Sequence, residues 1–334
     1  MHRKSAFLCV FLILVFALAF IGCSFPSSGS SSGNAAAGKA SGTESAARDS
    51  GKTEKADTKA AAPGRDTVQN CLVPVASGEI TYGDDTVSID ASNTSEGYVM
   101  VQYSGDAKKV KLQITVPDTT TYTYTLSGGS YETFPLSEGD GSYKLDVLEN
   151  VKDEMYALVF SQTIPVKTAD EFRPFLYPNQ YAWFTREDKA VAYGARLSDA
   201  SYDDLDYVEK VYLDVIQNVT YDDELAATVT SGYLPDVDRT LQTKKGICFD
   251  YAALMAALLR SQGIPTKLQI GYSGDAYHAW ISVYLKEIGW VDDIIEFDGK
   301  SWSLMDPTLA ASNSRSALKK YIGDGSHYTV KYSY

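Results

Sequence analysis

The chain has 334 residues, with 30 Lys and Arg against 43 Asp and Glu and a net charge of -13. So acidic a balance argues against nucleic acid or an anionic membrane surface as an electrostatic partner. Its 4 cysteines show no Cys-x-x-Cys spacing, so neither a disulfide framework nor a metal site is expected, and no cofactor is called for.

In chain order, His2, Arg3 and Lys4 form a basic head, Ala6 to Ile21 is almost wholly apolar, and Gly22 precedes Cys23. That is the layout of a secretory signal, and the apolar run falls short of the roughly 20 residues a membrane span needs. With cysteine directly after the small residue, 1–22 resembles a bacterial lipoprotein signal, although Phe20 stands where leucine is usual. The resemblance implies cleavage before Cys23, lipid on its sulfur, and a protein held at the extracellular face of a bacterial cell membrane. A plain signal with an incidental cysteine is the other reading. From Ser24 to Asp66 the chain is Ser, Gly, Ala, Lys and Thr with almost no apolar bulk. Such a stretch cannot bury enough surface to offset its ordering entropy, so 23–66 is expected to be a disordered tether.

Residues 67–168 read as all-β. Tyr98 to Tyr103 and Lys109 to Val116 are strand-like, and Val110, Leu112, Ile114 and Val116 alternate with polar residues. Tyr122 to Leu126 alternates Tyr with Thr, and clusters such as Ser127-Gly-Gly-Ser and Glu138-Gly-Asp-Gly-Ser mark turns. Short strands between regular turns predict a β-sandwich-like domain. The acidic Asp140-Gly141 turn is better read as a hairpin than as a calcium site.

Residues 169–334 change character. Thr168 to Thr185 reads as an extended linker, and Glu187 to Leu197 as a helix. Asp203 to Asn218 is a stronger helix, with Leu205, Val208, Tyr212, Val215, Ile216 and Val219 along one face. A loop with Pro235, Asp236 and Asp238 follows. Then Lys-Lys-Gly-Ile-Cys-Phe-Asp-Tyr-Ala-Ala-Leu opens a third helix near Cys248, closed by Gly263 and Pro265. In the first turn of a helix, unpaired amides and the dipole favour a thiolate. A free cysteine is also commonly a buried structural residue. A disulfide with Cys71 would silence it and is not expected.

The chain has 3 histidines: His2 leaves with the signal, His327 lies in a Gly/Asp/Ser-rich segment and reads as structural, and His278 opens an alternating strand. On that strand His278, Trp280, Ser282 and Tyr284 share one face, with Ala279, Ile281, Val283 and Leu285 on the other. Asp298-Gly299 marks a hairpin turn, and Trp302, Leu304 and Asp306 share a face of the returning strand. A helix followed by antiparallel strands lets Cys248, His278 and Asp306 converge.

Gly246-Ile-Cys-Phe-Asp-Tyr-Ala, Leu258-Leu-Arg-Ser-Gln-Gly-Ile-Pro265, Gly271-Tyr, His278-Ala-Trp280 and Trp302-Ser-Leu-Met-Asp-Pro-Thr308 together resemble the transglutaminase-like core, over roughly Glu187 to Leu309. The resemblance implies an α+β, papain-like fold, with the cysteine-bearing helix packed on an antiparallel sheet. It also implies Cys248 as nucleophile, His278 as general base and acid, and Asp306 as the group that orients the imidazole. One departure is an acidic, apolar insertion, Lys286 to Phe297, where the family has a short hairpin. The Cys248 amide is the expected oxyanion donor, with Tyr221 or Gln242 as a second.

The expected activity is that of a surface-anchored thiol enzyme. It would form a thioester with a protein or cell-wall peptide amide and resolve it with water or an amine. The β-rich domain would present substrate. The alternative is a non-catalytic adhesion or wall-binding lipoprotein that uses the core as scaffold.

Overall fold

The computed structural model describes residues 64–65, 71–273, 275–291 and 328–334. The signal, Cys23, Trp302, Asp306 and His327 lie outside the described residues.

The N-terminal region builds two four-stranded antiparallel sheets. One runs β1 (Thr81–Gly83), β2 (Val87–Asp90), β3 (Tyr98–Tyr103), β6 (Glu132–Pro135); the other runs β5 (Thr121–Leu126), β4 (Val110–Thr115), β7 (Gly141–Lys152), β8 (Met155–Val166). The alternation along β4 decides its faces: Val110, Leu112 and Ile114 are buried, and the residues between them are half-buried. Leu112 pairs with Val147 and Ile114 with Leu145 across β4 and β7, which keeps the apolar set on one side. Contacts then cross between the sheets. Tyr124 of β5 meets the Phe134 ring of β6 at 4.8 Å, and the Tyr103 hydroxyl of β3 donates to Glu149 of β7 at 2.5 Å. In the turn before β7, Asp140 accepts from the Thr168 amide at 2.8 Å and hydroxyl at 3.0 Å, so its carboxylate serves as a local tie.

The second region is helical, then sheet. Its helices are α1 (Lys189–Asp199), α2 (Asp204–Asn218), α3 (Asp223–Thr228), α4 (Val237–Thr243) and α5 (Cys248–Arg260). A four-stranded antiparallel sheet follows in the order β13 (Gly289–Val291), β12 (Ala276–Leu285), β11 (Thr266–Ser273), β14 (Tyr328–Ser333). From Tyr251 to Leu259 every residue of α5 is buried, as expected of a helix that is apolar all round. Helices α1, α2 and α4 and strands β11 and β12 all pack on it.

The segment expected to be one loop contains α3 and α4. Each starts at an aspartate: Asp222 accepts from Leu225 at 3.0 Å, and Asp236 accepts from Arg239 at 2.9 Å. Asp238 of α4 also reaches the start of α1, accepting from Lys189 at 3.1 Å and Ala190 at 2.8 Å. These short helices have too few turns to show a period, which is why caps alone mark them.

Part of the expected insertion is described. Lys286–Ile288 turn, and β13 pairs back on β12 with Trp290 opposite Tyr284. The Trp290 ring packs on Phe175 at 5.3 Å and beneath the Lys267 amine at 4.0 Å. This stretch is therefore a tight hairpin docked on the linker.

The β-rich region and the core share one continuous cluster of buried side chains. Tyr122 and Tyr124 of β5 stack edge-on against Tyr334 at 5.3 and 5.9 Å. The Ser137 hydroxyl donates to the Ser333 carbonyl at 2.7 Å, and the Ser333 amide donates to the Tyr122 hydroxyl at 3.2 Å. Arg65, expected within the tether, is docked instead. Its guanidinium donates to Asp204 at 2.7 Å, Ser198 at 2.5 Å and the Gln262 carbonyl at 2.7 Å, and it lies 4.7 Å from the centre of the Tyr207 ring.

Candidate active site

Two short strands aim the start of α5. β9 (Thr220–Tyr221) pairs in parallel with β10 (Lys245–Gly246), setting Tyr221 beside Gly246. The Thr220 amide donates to the Lys244 carbonyl at 2.9 Å, and the Asp222 amide to the Gly246 carbonyl at 3.0 Å. The Tyr251 hydroxyl donates to the Val219 carbonyl at 2.6 Å, tying the second turn of α5 to the same segment. Gly246 is required by space: a Cβ there would come within 2.5 Å of the Asp250 Cβ.

Cys248 is the first residue of α5 and is half-buried as a free thiol; Cys71 is free and buried. The Cys248 sulfur faces β12. Burial pushes its thiol up to about 11 from 9.0, against backbone hydrogen bonding from Ala279, Phe249 and Cys248 itself, which favours the thiolate. Ala279 is the residue after His278, so the helix start reaches the strand one residue from the histidine.

His278 is half-buried and pairs with Gly271 of β11. Its ring lies parallel to that of Trp280, with centroids 6.2 Å apart. Gly271 has no room for a side chain, because a Cβ would stand 2.0 Å from the Thr329 carbonyl oxygen and 3.0 Å from the Trp280 ring. That close approach lets β14 and Trp280 pack under the histidine. Burial pulls His278 down to about 4 from 6.5. The described groups therefore hold a neutral thiol and a neutral imidazole. Asp306, the carboxylate expected to orient the imidazole, lies outside the described residues.

Of the two candidate oxyanion partners, Tyr221 is half-buried and lies near Cys248, whereas Gln242 is exposed on α4. Tyr277, the strand residue before His278, also lies near Cys248. Behind the thiol, Phe249 packs on Tyr181 at 5.3 Å, and Tyr181 on Tyr334 at 4.5 Å. Sequence reasoning passed over Tyr277 and Tyr181, since a tyrosine carries no spacing signal in a chain with 24 of them. Among the described residues no group of three or more His, Cys, Asp or Glu is arranged to hold a metal ion.

The fold and this site define a class: a helix-borne cysteine set against an antiparallel strand that carries a histidine. Residues 191–293 match the family model of the Transglutaminase-like superfamily, so this stretch of the chain is similar to a transglutaminase-like core. The uncharacterized protein YebA of Bacillus subtilis (strain 168) is 35% identical over a stretch covering 16% of this chain and 10% of YebA. The match thus spans about a tenth of that relative's length. Among solved structures, a candidate cysteine protease from Cytophaga hutchinsonii aligns with 76% of this chain and 73% of its own, at 13% identity and a TM-score of 0.34. The periplasmic domain of TgpA from Pseudomonas aeruginosa aligns with 63% of this chain and 95% of its own, at 17% identity and a TM-score of 0.29.

Proposed function

We propose that the chain is a thiol enzyme acting on protein or cell-wall peptide amides. The carrying observation is that Cys248, first residue of α5, turns its sulfur to the backbone of Ala279, next to His278. The Cys248 sulfur attacks the amide carbonyl while its proton passes to His278. The C–N bond breaks, the leaving amine takes that proton, and a thioester remains. Water or an amine then attacks the thioester, gives its own proton to His278, and returns the thiol. Asp306 is assigned the orienting role, and the Cys248 amide with Tyr221 the developing oxyanion.

Assayed against a panel of glutamine donors and peptide amides, Cys248→Ala is expected to abolish turnover with the fold intact. Asp306→Asn should lower it by about 10²- to 10⁴-fold. Residual activity of Cys248→Ala within tenfold of wild type would remove the nucleophile.

The same proposal includes the anchor. Lipid on Cys23 would hold the enzyme at the extracellular face of a bacterial membrane, and Cys23→Ser is then expected to move the protein from the detergent phase to the aqueous phase. Wild-type protein found in the aqueous phase with an unmodified N-terminus overturns this part.

The raised thiol and lowered imidazole favour a second reading, an envelope-binding protein that uses the core as scaffold. Iodoacetamide separates the two: a Cys248 inert at neutral pH belongs to the scaffold, and a fast-reacting one to the enzyme.

A further inference from the structure

The first turn of α5 holds a second ionisable group that the mechanism above does not use. Asp250 is fully buried, at 0% exposure, two residues after the thiol. Its two carboxylate oxygens are committed separately. One accepts from the Ile247 amide at 2.9 Å and the other from the Tyr233 hydroxyl at 2.7 Å. The Tyr233 oxygen in turn accepts from Arg239 Nη2 at 2.5 Å, which leaves the phenolic proton for Asp250. A carboxylate that only accepts is in the form expected of the anion. The network crosses elements: Arg239 lies on α4, Tyr233 on the loop before it, and Asp250 on α5.

The arrangement has two consequences for the thiol. First, the bond to Ile247 closes the turn that contains Cys248, so the direction of the sulfur depends on where Asp250 is held. Gly246 keeps this position open, since any Cβ there would strike Asp250. Second, a buried negative charge beside the thiol opposes a second negative charge on sulfur. Among the described residues, Tyr221 from β9 and Tyr277 from β12 are the other titratable groups near Cys248, while Asp222 and Arg239 face Asp250. Of these, Arg239 is the described cation, and it reaches Asp250 through Tyr233.

We propose that Asp250 is a positioning residue for Cys248, fixing the first turn of α5 and setting the resting protonation of the thiol through a charge that Arg239 and Tyr233 partly offset. The inference rests on the nucleophile reading above, but its test does not use turnover. Alkylation of Cys248 by iodoacetamide is followed across pH on the full chain, with the site resolved from Cys71 by peptide mass spectrometry.

Asp250→Asn keeps an acceptor for Ile247 and a donor for Tyr233 while removing the charge. The alkylation midpoint is expected to fall by about one pH unit. Arg239→Gln removes the offsetting cation from an exposed position on α4, and the midpoint is expected to rise. Opposite shifts cannot come from loosened packing, which would move both variants in one direction. The proposal is overturned if the two midpoints move the same way or if Arg239→Gln leaves the midpoint unchanged. Should Asp250→Asn not fold, the sign of the Arg239→Gln shift decides. Failure of the nucleophile reading shows separately, as Cys248→Ala that retains turnover whatever the midpoints do.

Discussion

His278 and Cys248 set opposite pH limits on the fold. Burial holds the His278 folded-state value near 4 against 6.5, so below 6.5 the unfolded chain binds a proton that the folded chain refuses. The stability tied to a neutral His278 is intact above 6.5 and drains away as pH falls towards 4. Cys248 works from the other side. Its thiol rises to about 11 from 9.0, so its contribution is whole below 9.0 and is lost as pH climbs through 11. Thermal unfolding at pH 7 and pH 5 should show wild type losing several degrees, and His278→Gln losing clearly less. Equal losses would mean that other groups govern the acid limb. Single residues were unevenly legible in the sequence. Cys248 and His278 stand out because their types are rare and their neighbours fit a family pattern. Arg260 does not. It reads as an ordinary basic residue in the last turn of a helix, yet it is fully buried, donating to the carbonyls of Thr266 at 2.9 Å, Tyr177 at 3.0 Å and Tyr334 at 2.6 Å. Those acceptors are backbone atoms, two of them from distant segments, and no side-chain pattern announces them.

At the scale of elements, periodicity recovered the long pieces. The strong face along 203–218 became α2, capped by Asp203, which accepts from the Asp206 amide at 2.9 Å. Its buried stripe includes Tyr207 and Val211, and leaves Leu205 and Ile216 half-covered, because α5 and α1 set which side is dry. Short pieces escaped, α4 most consequentially. It supplies the N-terminal support of a different helix through Asp238, a tertiary cap that no local pattern encodes. Asp238→Ala should leave two amides of α1 without that acceptor and cost about 1 kcal/mol of stability. Chemical denaturation with unchanged slope and a lowered midpoint would report it. A midpoint equal to wild type would show that Asp188, itself bonded to Thr185, takes over the cap.

For the whole molecule, the acidic balance was plain from composition, and the alternation of β4 marked the sheet-rich N-terminal region. What sequence did not disclose is how the parts are joined. The joint is aromatic: Tyr122, Tyr124, Tyr181 and Tyr334 come from segments far apart in the chain, and pairing among aromatics is settled by packing. Arg65 is the matching surprise at the N-terminal side. Within a Ser/Gly/Ala/Lys-rich stretch, its single side chain spans the end of α1, the start of α2 and the turn after α5. Arg65→Ala should lower stability by about 1–3 kcal/mol, through charge-assisted bonds lost at a nearly covered site. That corresponds to a melting point lowered by several degrees. Limited proteolysis should also cut earlier near residue 65. An unchanged melting point would mean that the clamp contributes nothing to the fold.

The Arg65 clamp also gives the molecule a polarity. Arg65 grips the turn after the last residue of α5, and Cys248 is the first residue of that helix. Thirteen residues of α-helix separate the two poles by about 20 Å. A pull on the chain before Arg65 would therefore be taken up at the end of α5 opposite Cys248, leaving the first turn of the helix clear of the load.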